Sequence, residues 1–190
     1  MNPLVQIPRT FKVTQGQFEQ LALANRDVSM ERTADGVLII MAPTGGTTGK
    51  RNAGLTAQIW NWNQQHQLGE VFDSSTIFRL PNGANRSPDV AWVSADRWSA
   101  LSSEDQDRFP PLCPDFVVEL RSKTDSLKEL RDKMQEYGEN GCRLGWLIDP
   151  QGKQVEIYRI GQQPEVIDSP QSLSGETALP GFVCEMNQIF

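Results

Sequence analysis

The strongest constraint on the fold lies between residues 116 and 149, where an apolar run, an amphipathic segment and a second apolar run follow one another. Phe116-Val117-Val118-Glu119-Leu120 is rich in β-branched residues and reads as a buried strand. From Ser126 to Asn140, Leu127, Leu130, Met134 and Tyr137 share one helical face, and Gly141 is a suitable terminator. Leu144-Gly145-Trp146-Leu147-Ile148-Asp149 is the next strand. Strand, helix and strand in that order predict a crossover unit inside a mixed sheet, hence an α/β (α+β) core.

The flanking patterns are simpler. Gln15 to Asn25 predicts a helix capped by Thr14, with Phe18, Leu21 and Ala22 on one side. Val28 to Thr33, an Asp35-Gly36 turn, and Val37 to Met41 predict a hairpin with Glu31 on its first strand. Leu55, Ile59 and Trp62 predict a longer helix over about 47–67, entered through Gly45, Gly46 and Gly49. Short strands at 69–73 and 76–80 and a turn at 81–83 precede Ser87-Pro88-Asp89-Val90-Ala91-Trp92-Val93, a strand carrying Asp89. A loop with Pro110, Pro111 and Pro114 then leads to the Glu119 strand. Asp149-Pro150-Gln151-Gly152 turns into Val155–Arg159 as another hairpin, and the tail from Gly161 to Phe190 is expected to hold short strands. A length of 190 residues fits a single domain over 1–190.

Composition narrows the function classes. Hydrophobic residues at 38% and charged residues at 22% are ordinary for a globular protein. No apolar run approaches the roughly 18 residues of a membrane span, and Met1 to Gln6 lack a basic region followed by an apolar one, so a cytoplasmic protein without membrane contact is expected. Cys113, Cys142 and Cys184 are odd in number and widely spaced, which supports neither a disulfide framework nor a zinc knuckle. With His66 as the one histidine, the metal still open to the chain is a hard cation on oxygen ligands. A net charge of −6 and a pI near 4.9 argue against a nonspecific nucleic-acid binder. Lys50-Arg51, Arg79, Arg86 and the Lys123–Lys133 segment leave a local basic surface open.

Asp89 and Glu119, thirty residues apart, each set a carboxylate against an apolar strand. Burying an unpaired carboxylate costs several kcal/mol, so such an acid is normally protonated, paired or bound to a metal. Two of them on neighbouring strands suggest one shared cation, and magnesium usually takes only one or two carboxylates. Taken singly, each is better explained by water at a strand end or by an Arg such as Arg86 or Arg121. Arg121, two residues after Glu119, would point to the same face and could stabilise phosphate, but it cannot serve as a base. Lys133 borders the apolar stripe of its helix, where it either turns toward the sheet or snorkels to solvent. Thr44-Gly45-Gly46-Thr47-Thr48-Gly49-Lys50-Arg51 fails as a phosphate loop, because Thr44 stands where a Gly is required and Arg51 replaces the magnesium-binding Ser or Thr.

In order along the chain, Ser-Pro-Asp-Val at 87–90, Val-Val-Glu-Leu-Arg-Ser at 117–122, Asp-Lys-Met-Gln-Glu-Tyr at 132–137, Gly141 and Trp-Leu-Ile-Asp-Pro at 146–150 resemble the Uma-type restriction endonuclease family of the PD-(D/E)xK nuclease superfamily. The resemblance runs from the Glu31 hairpin to the Val155–Arg159 strand. It implies a restriction-endonuclease-like mixed β-sheet flanked by helices, with additional N- and C-terminal hairpins. It also implies Mg2+ (or Mn2+) and hydrolysis of DNA phosphodiesters. By position, Asp89 looks like the motif Asp, Glu119 like the motif Glu, and Glu31 like an additional acid; these three are the expected metal ligands. The superfamily places a Lys two residues after the second acid, where this chain has Arg121. Lys133, four residues before Tyr137, is similar to a Lys displaced onto the following helix, with Arg121 as an auxiliary contact and Lys123 as the alternative.

The expected function is therefore a Mg-dependent endonuclease acting on DNA, with Asp89, Glu119, Lys133, Arg121 and Glu31 as its site. The competing reading is a catalytically inactive nuclease-fold module for binding or assembly, consistent with the acidic pI and the missing Lys at 121. A third, nucleotide hydrolysis through residues 44–51, is disfavoured by the spacing. A homodimer is expected from the task of cutting two strands.

Overall fold

The computed structural model of the chain describes residues 7, 8 and 10–190. Helix α1 (Gln15–Ala24) begins at Thr14, where the Thr14 and Gln17 side chains each accept from the other's backbone amide, satisfying two otherwise free N–H groups. Strands β1 (Met30–Arg32) and β2 (Leu38–Ile40) form the expected hairpin, with Gly36 at φ +94° in its turn, a conformation that favours glycine. Helix α2 (Gly46–His66) buries Leu55, Ile59, Trp62 and Asn63. Its first turn already includes Lys50, so residues 46–50 are helix rather than a phosphate-cradling loop. Strands β3 (Gly69–Asp73), β4 (Phe78–Arg79), β5 (Asn85–Arg86) and β6 (Val90–Ser94) follow.

Between β6 and the prolines lie two short helices, α3 (Ala95–Ser99) and α4 (Ser103–Asp107), where the sequence pattern predicts only a loop. Five residues make less than one and a half helical turns, too few for an apolar stripe to repeat. Then come β7 (Phe116–Leu120), α5 (Leu127–Glu139), β8 (Leu144–Asp149), β9 (Gln154–Arg159), β10 (Glu165–Asp168), β11 (Ser172–Ser174) and β12 (Val183–Glu185). Ser126 caps α5 and Gly141, at φ +100°, follows it.

The main sheet has six strands in the order β10-β9-β8-β7-β6-β3. Only β7 and β8 run parallel, joined by α5 as the predicted crossover, and the other neighbours are antiparallel. The first hairpin does not stand alone: with β4 and β5 it makes a second sheet in the order β2-β1-β5-β4. Strands β11 and β12 pair near the C-terminus. The mixed α/β core with helices and added terminal hairpins is thus the observed fold class. No helix among the described residues is long and apolar enough to cross a membrane.

Period-two alternation divides the core. Val90, Trp92, Phe116, Val118, Trp146 and Ile148 pack on Leu55, Ile59 and Trp62 of α2 and on Phe182 and Ile189 near the C-terminus. Ala91, Val93, Val117 and Leu147 belong to the opposite face, with Met134 and Tyr137 of α5. Gly145 lets α5 approach the sheet, because a Cβ there would lie 2.5 Å from Met134 Cε and 3.3 Å from Val117 Cγ2. This close approach brings the helix residues next to Glu119.

Candidate active site

In the antiparallel pair of β6 and β7, Val90 lies opposite Val118. Continuing that register by one step sets Asp89 opposite Glu119, at the end where β6 begins and β7 finishes. Glu119 is one residue from Val118, so it faces α5, and it meets Lys133 and Tyr137, which are one helical turn apart. Glu31 arrives from β1 of the second sheet.

Lys133 Nζ lies 2.8 Å from Glu31 Oε1 and 2.7 Å from Glu119 Oε1, and all three side chains are at most 11% exposed. Those two oxygens are therefore no further apart than the two distances laid end to end. Tyr137 Oη donates to the same Glu119 Oε1 at 3.0 Å. Every contact to Glu119 falls on Oε1, which leaves Oε2 without a partner among the described residues. Glu31 is fully engaged: Oε1 also accepts from the Ser87 amide at 2.9 Å, and Oε2 accepts from Arg86 Nη1 at 3.0 Å. Arg86 continues to Glu136 Oε2 at 2.5 Å. The sequence suggests Arg86 as a partner for Asp89 or Glu119; the fold instead gives it Glu31 and Glu136.

Asp89 has neutral partners. Its Oδ1 accepts from Asn52 Nδ2 at 2.6 Å and its Oδ2 from the Leu120 amide at 2.7 Å. The other end of that amide, Asn52 Oδ1, is buried with no hydrogen-bond partner. Asn52 was not legible as a site residue; its one sequence signal is a polar side chain early in a helix whose next turn is apolar. Asn52, Thr56 and Trp60 of α2, with Asp73 at the end of β3 and Ser74 after it, line a cleft of about 370 Å3 that reaches Asp89. Arg121 is turned elsewhere: its Nη1 pairs with Asp149 Oδ2 at 2.7 Å and its Nε donates to the Asp125 carbonyl at 3.4 Å. Lys123 is exposed.

The charges follow from this geometry. Burial alone would raise the Glu31 carboxyl, but the Lys133 and Arg86 cations more than offset it and hold Glu31 below its ordinary value. Burial pushes Glu119 up to about 7, because Lys133 is shared and the Asp89 and Glu31 charges add to the desolvation. Asp89 is raised as well, chiefly by burial, against the lowering effect of Asn52 and the Leu120 amide. Desolvation works to lower Lys133, yet the Glu119 and Glu31 carboxylates outweigh it and hold its ammonium charged far above neutrality. Three carboxylates (Glu31, Glu119 and Glu136) thus share two cations, Arg86 and Lys133, while Asp89 has no cation in contact, so Asp89 and Glu119 are the acids left short of charge compensation.

No group of three acidic, His or Cys side chains forms a ready metal cage among the described residues. A magnesium-type ion does not require one, since two carboxylates with water complete its octahedron. Asp89, the free Glu119 Oε2 and the orphaned Asn52 Oδ1 are all oxygen donors, a set suited to a hard cation.

A mixed sheet with one parallel crossover, two carboxylates at adjacent strand ends and a lysine-bearing helix beside them has the architecture of the restriction-endonuclease-like proteins. The chain belongs to the family described as "Uma2: Putative restriction endonuclease", which matches residues 16–187. It shares its fold with a crystal structure described as "a putative nuclease belonging to DUF820 from Anabaena variabilis ATCC 29413", at a TM-score of 0.79 and 19% sequence identity, over 94% of this chain and 97% of that one. No curated protein matches the chain.

Proposed function

We propose that this chain is a divalent-metal-dependent endonuclease that hydrolyses DNA phosphodiester bonds, with Asp89 and Glu119 holding the ion. The observation that carries this reading is the pair of buried acids short of cationic partners at neighbouring strand ends, next to an ammonium that a third acid helps to hold. A bound Mg2+ or Mn2+ would supply a more acidic water and offset charge on the scissile phosphate. Asn52 and the Leu120 amide orient Asp89, and Tyr137 orients Glu119.

Glu31, with both oxygens engaged by cations, acts in this reading mainly by holding Lys133 in position. Lys133 stays charged, so it donates a hydrogen bond to the attacking water or to a phosphate oxygen rather than removing a proton. Arg121 would have to leave Asp149 to touch a phosphate, and Lys133 fills the lysine role instead. Two sites related by a two-fold axis would serve both strands of a duplex, so a homodimer belongs to this reading. Supercoiled plasmid incubated with Mg2+ should be nicked or linearised by the wild type and left intact by Asp89→Ala. Equal cutting by the two proteins contradicts the assignment.

The lysine bridge favours one other reading. Lys133 already satisfies both Glu31 and Glu119, as it would in a nuclease-fold module that binds or assembles without catalysis. Such a module needs no divalent ion, and metal binding separates the two.

A further inference from the structure

The cleft beside Asp89 has a chemical character of its own. Both ionisable residues that line it, Asp73 and Asp89, are acids, and no Lys or Arg joins them. Away from a cation bound at Asp89, a phosphate is therefore a poor occupant. Asn52, Thr56 and Trp60 project from one face of α2 at i, i+4 and i+8. Trp60 is 47% exposed, although Leu55, Ile59 and Trp62 on the neighbouring face of the same helix are buried. A single exposed aromatic is commonplace. This one walls a cleft that also contains a site acid.

Size and polarity narrow the occupant further. A volume of about 370 Å3 lies near the small end of the roughly 300–1,000 Å3 typical of ligand pockets, enough for one nucleotide-sized group and far too little for a duplex. The group must not be anionic, and a neutral one with a flat apolar face for Trp60 and N–H donors for carboxylate oxygens fits. Asp73 offers Oδ2 for this purpose, since Ser75 takes Oδ1 through its amide at 3.0 Å and its hydroxyl at 2.6 Å. A nucleobase meets each requirement. From Asn52, which touches Asp89, to Trp60 is about 12 Å along the helix axis. At roughly 3.4 Å per nucleotide of a stacked strand, that is about three or four nucleotides.

We propose that Trp60 stacks on an unpaired base of the strand being cut, a few nucleotides from the phosphate presented to Asp89 and Glu119. The substrate is then single-stranded or locally opened DNA. This inference rests on the nuclease reading of the site, and it makes α2 the element that selects strand state.

The test measures binding of a fluorescently labelled single-stranded oligonucleotide, and of its duplex, with Ca2+ in place of Mg2+, a hard cation that the same oxygen ligands accept. Trp60→Ala should weaken single-strand binding by about 5- to 150-fold, the loss expected of one base–aromatic stack, and should leave duplex binding unchanged. Trp60→Phe, which keeps an aromatic face, should recover most of the loss and shows that the effect is not misfolding. Single-strand binding by Trp60→Ala equal to wild type, while plasmid is still cut, overturns the stacking proposal alone. Wild-type protein that neither binds nor cuts any DNA overturns both this proposal and the nuclease reading.

Discussion

At the residue scale, one ammonium organises the buried charges. Lys133 joins an acid from the second sheet to an acid from the main sheet, and its helix neighbour Tyr137 donates its hydroxyl to the same Glu119 oxygen. The price of this sharing falls on Glu119, which burial lifts from 4.5 to about 7. An acid with a raised folded pKa opposes folding once it must ionise. The penalty is absent below about pH 4.5, grows between 4.5 and 7, and is complete above 7, where it is on the order of 3 kcal/mol. Glu31 has the opposite sign, because its lowered pKa contributes stability above 4.5 that is lost only as the pH falls further. Glu119→Gln should therefore gain on wild type in urea unfolding at pH 8 and lose that advantage by pH 5. Parallel stability profiles for the two proteins would show that Glu119 does not carry the buried penalty.

At the element scale, the crossover was the most legible part of the chain. Phe116–Leu120, the Leu127/Leu130/Met134/Tyr137 stripe and Leu144–Asp149 each have one period and one length, and they fold as predicted. Asp89 and Glu119 were recognisable for the same reason, as charges interrupting apolar strands. The path of the first hairpin was not, because its union with β4 and β5 rests on two-residue strands that carry no periodic signal. Arg121 shows a similar limit: sequence spacing gives the face of a side chain but not which of several nearby carboxylates it takes. Close approaches of the backbone were equally hidden. A Cβ on Gly69 would lie 2.1 Å from the Val93 carbonyl oxygen and 2.6 Å from the Trp92 ring, with no flexible neighbour to yield. Gly69→Ala should cost at least about 3 kcal/mol in urea unfolding by forcing β3 off β6. Gly145→Ala, which meets the movable Met134 methyl, should cost less. A mild effect at Gly69 would mean that β3 is free to shift.

At the scale of the whole molecule, the account depends on charge balance. A chain with net charge −6 holds DNA poorly through its general field, so the proposed activity needs local compensation at the site. Lys133 and Arg86 supply part of it, and a divalent ion on Asp89 and Glu119 would supply the rest. Such an ion must displace any proton on Glu119, so its affinity should weaken as the pH falls below about 7. The most direct measurement is calorimetric titration of Mg2+ into the wild type and Glu119→Gln at pH 8. The account predicts saturable binding by the wild type that is lost in the variant; heats that are absent from the wild type, or identical in both proteins, would contradict it.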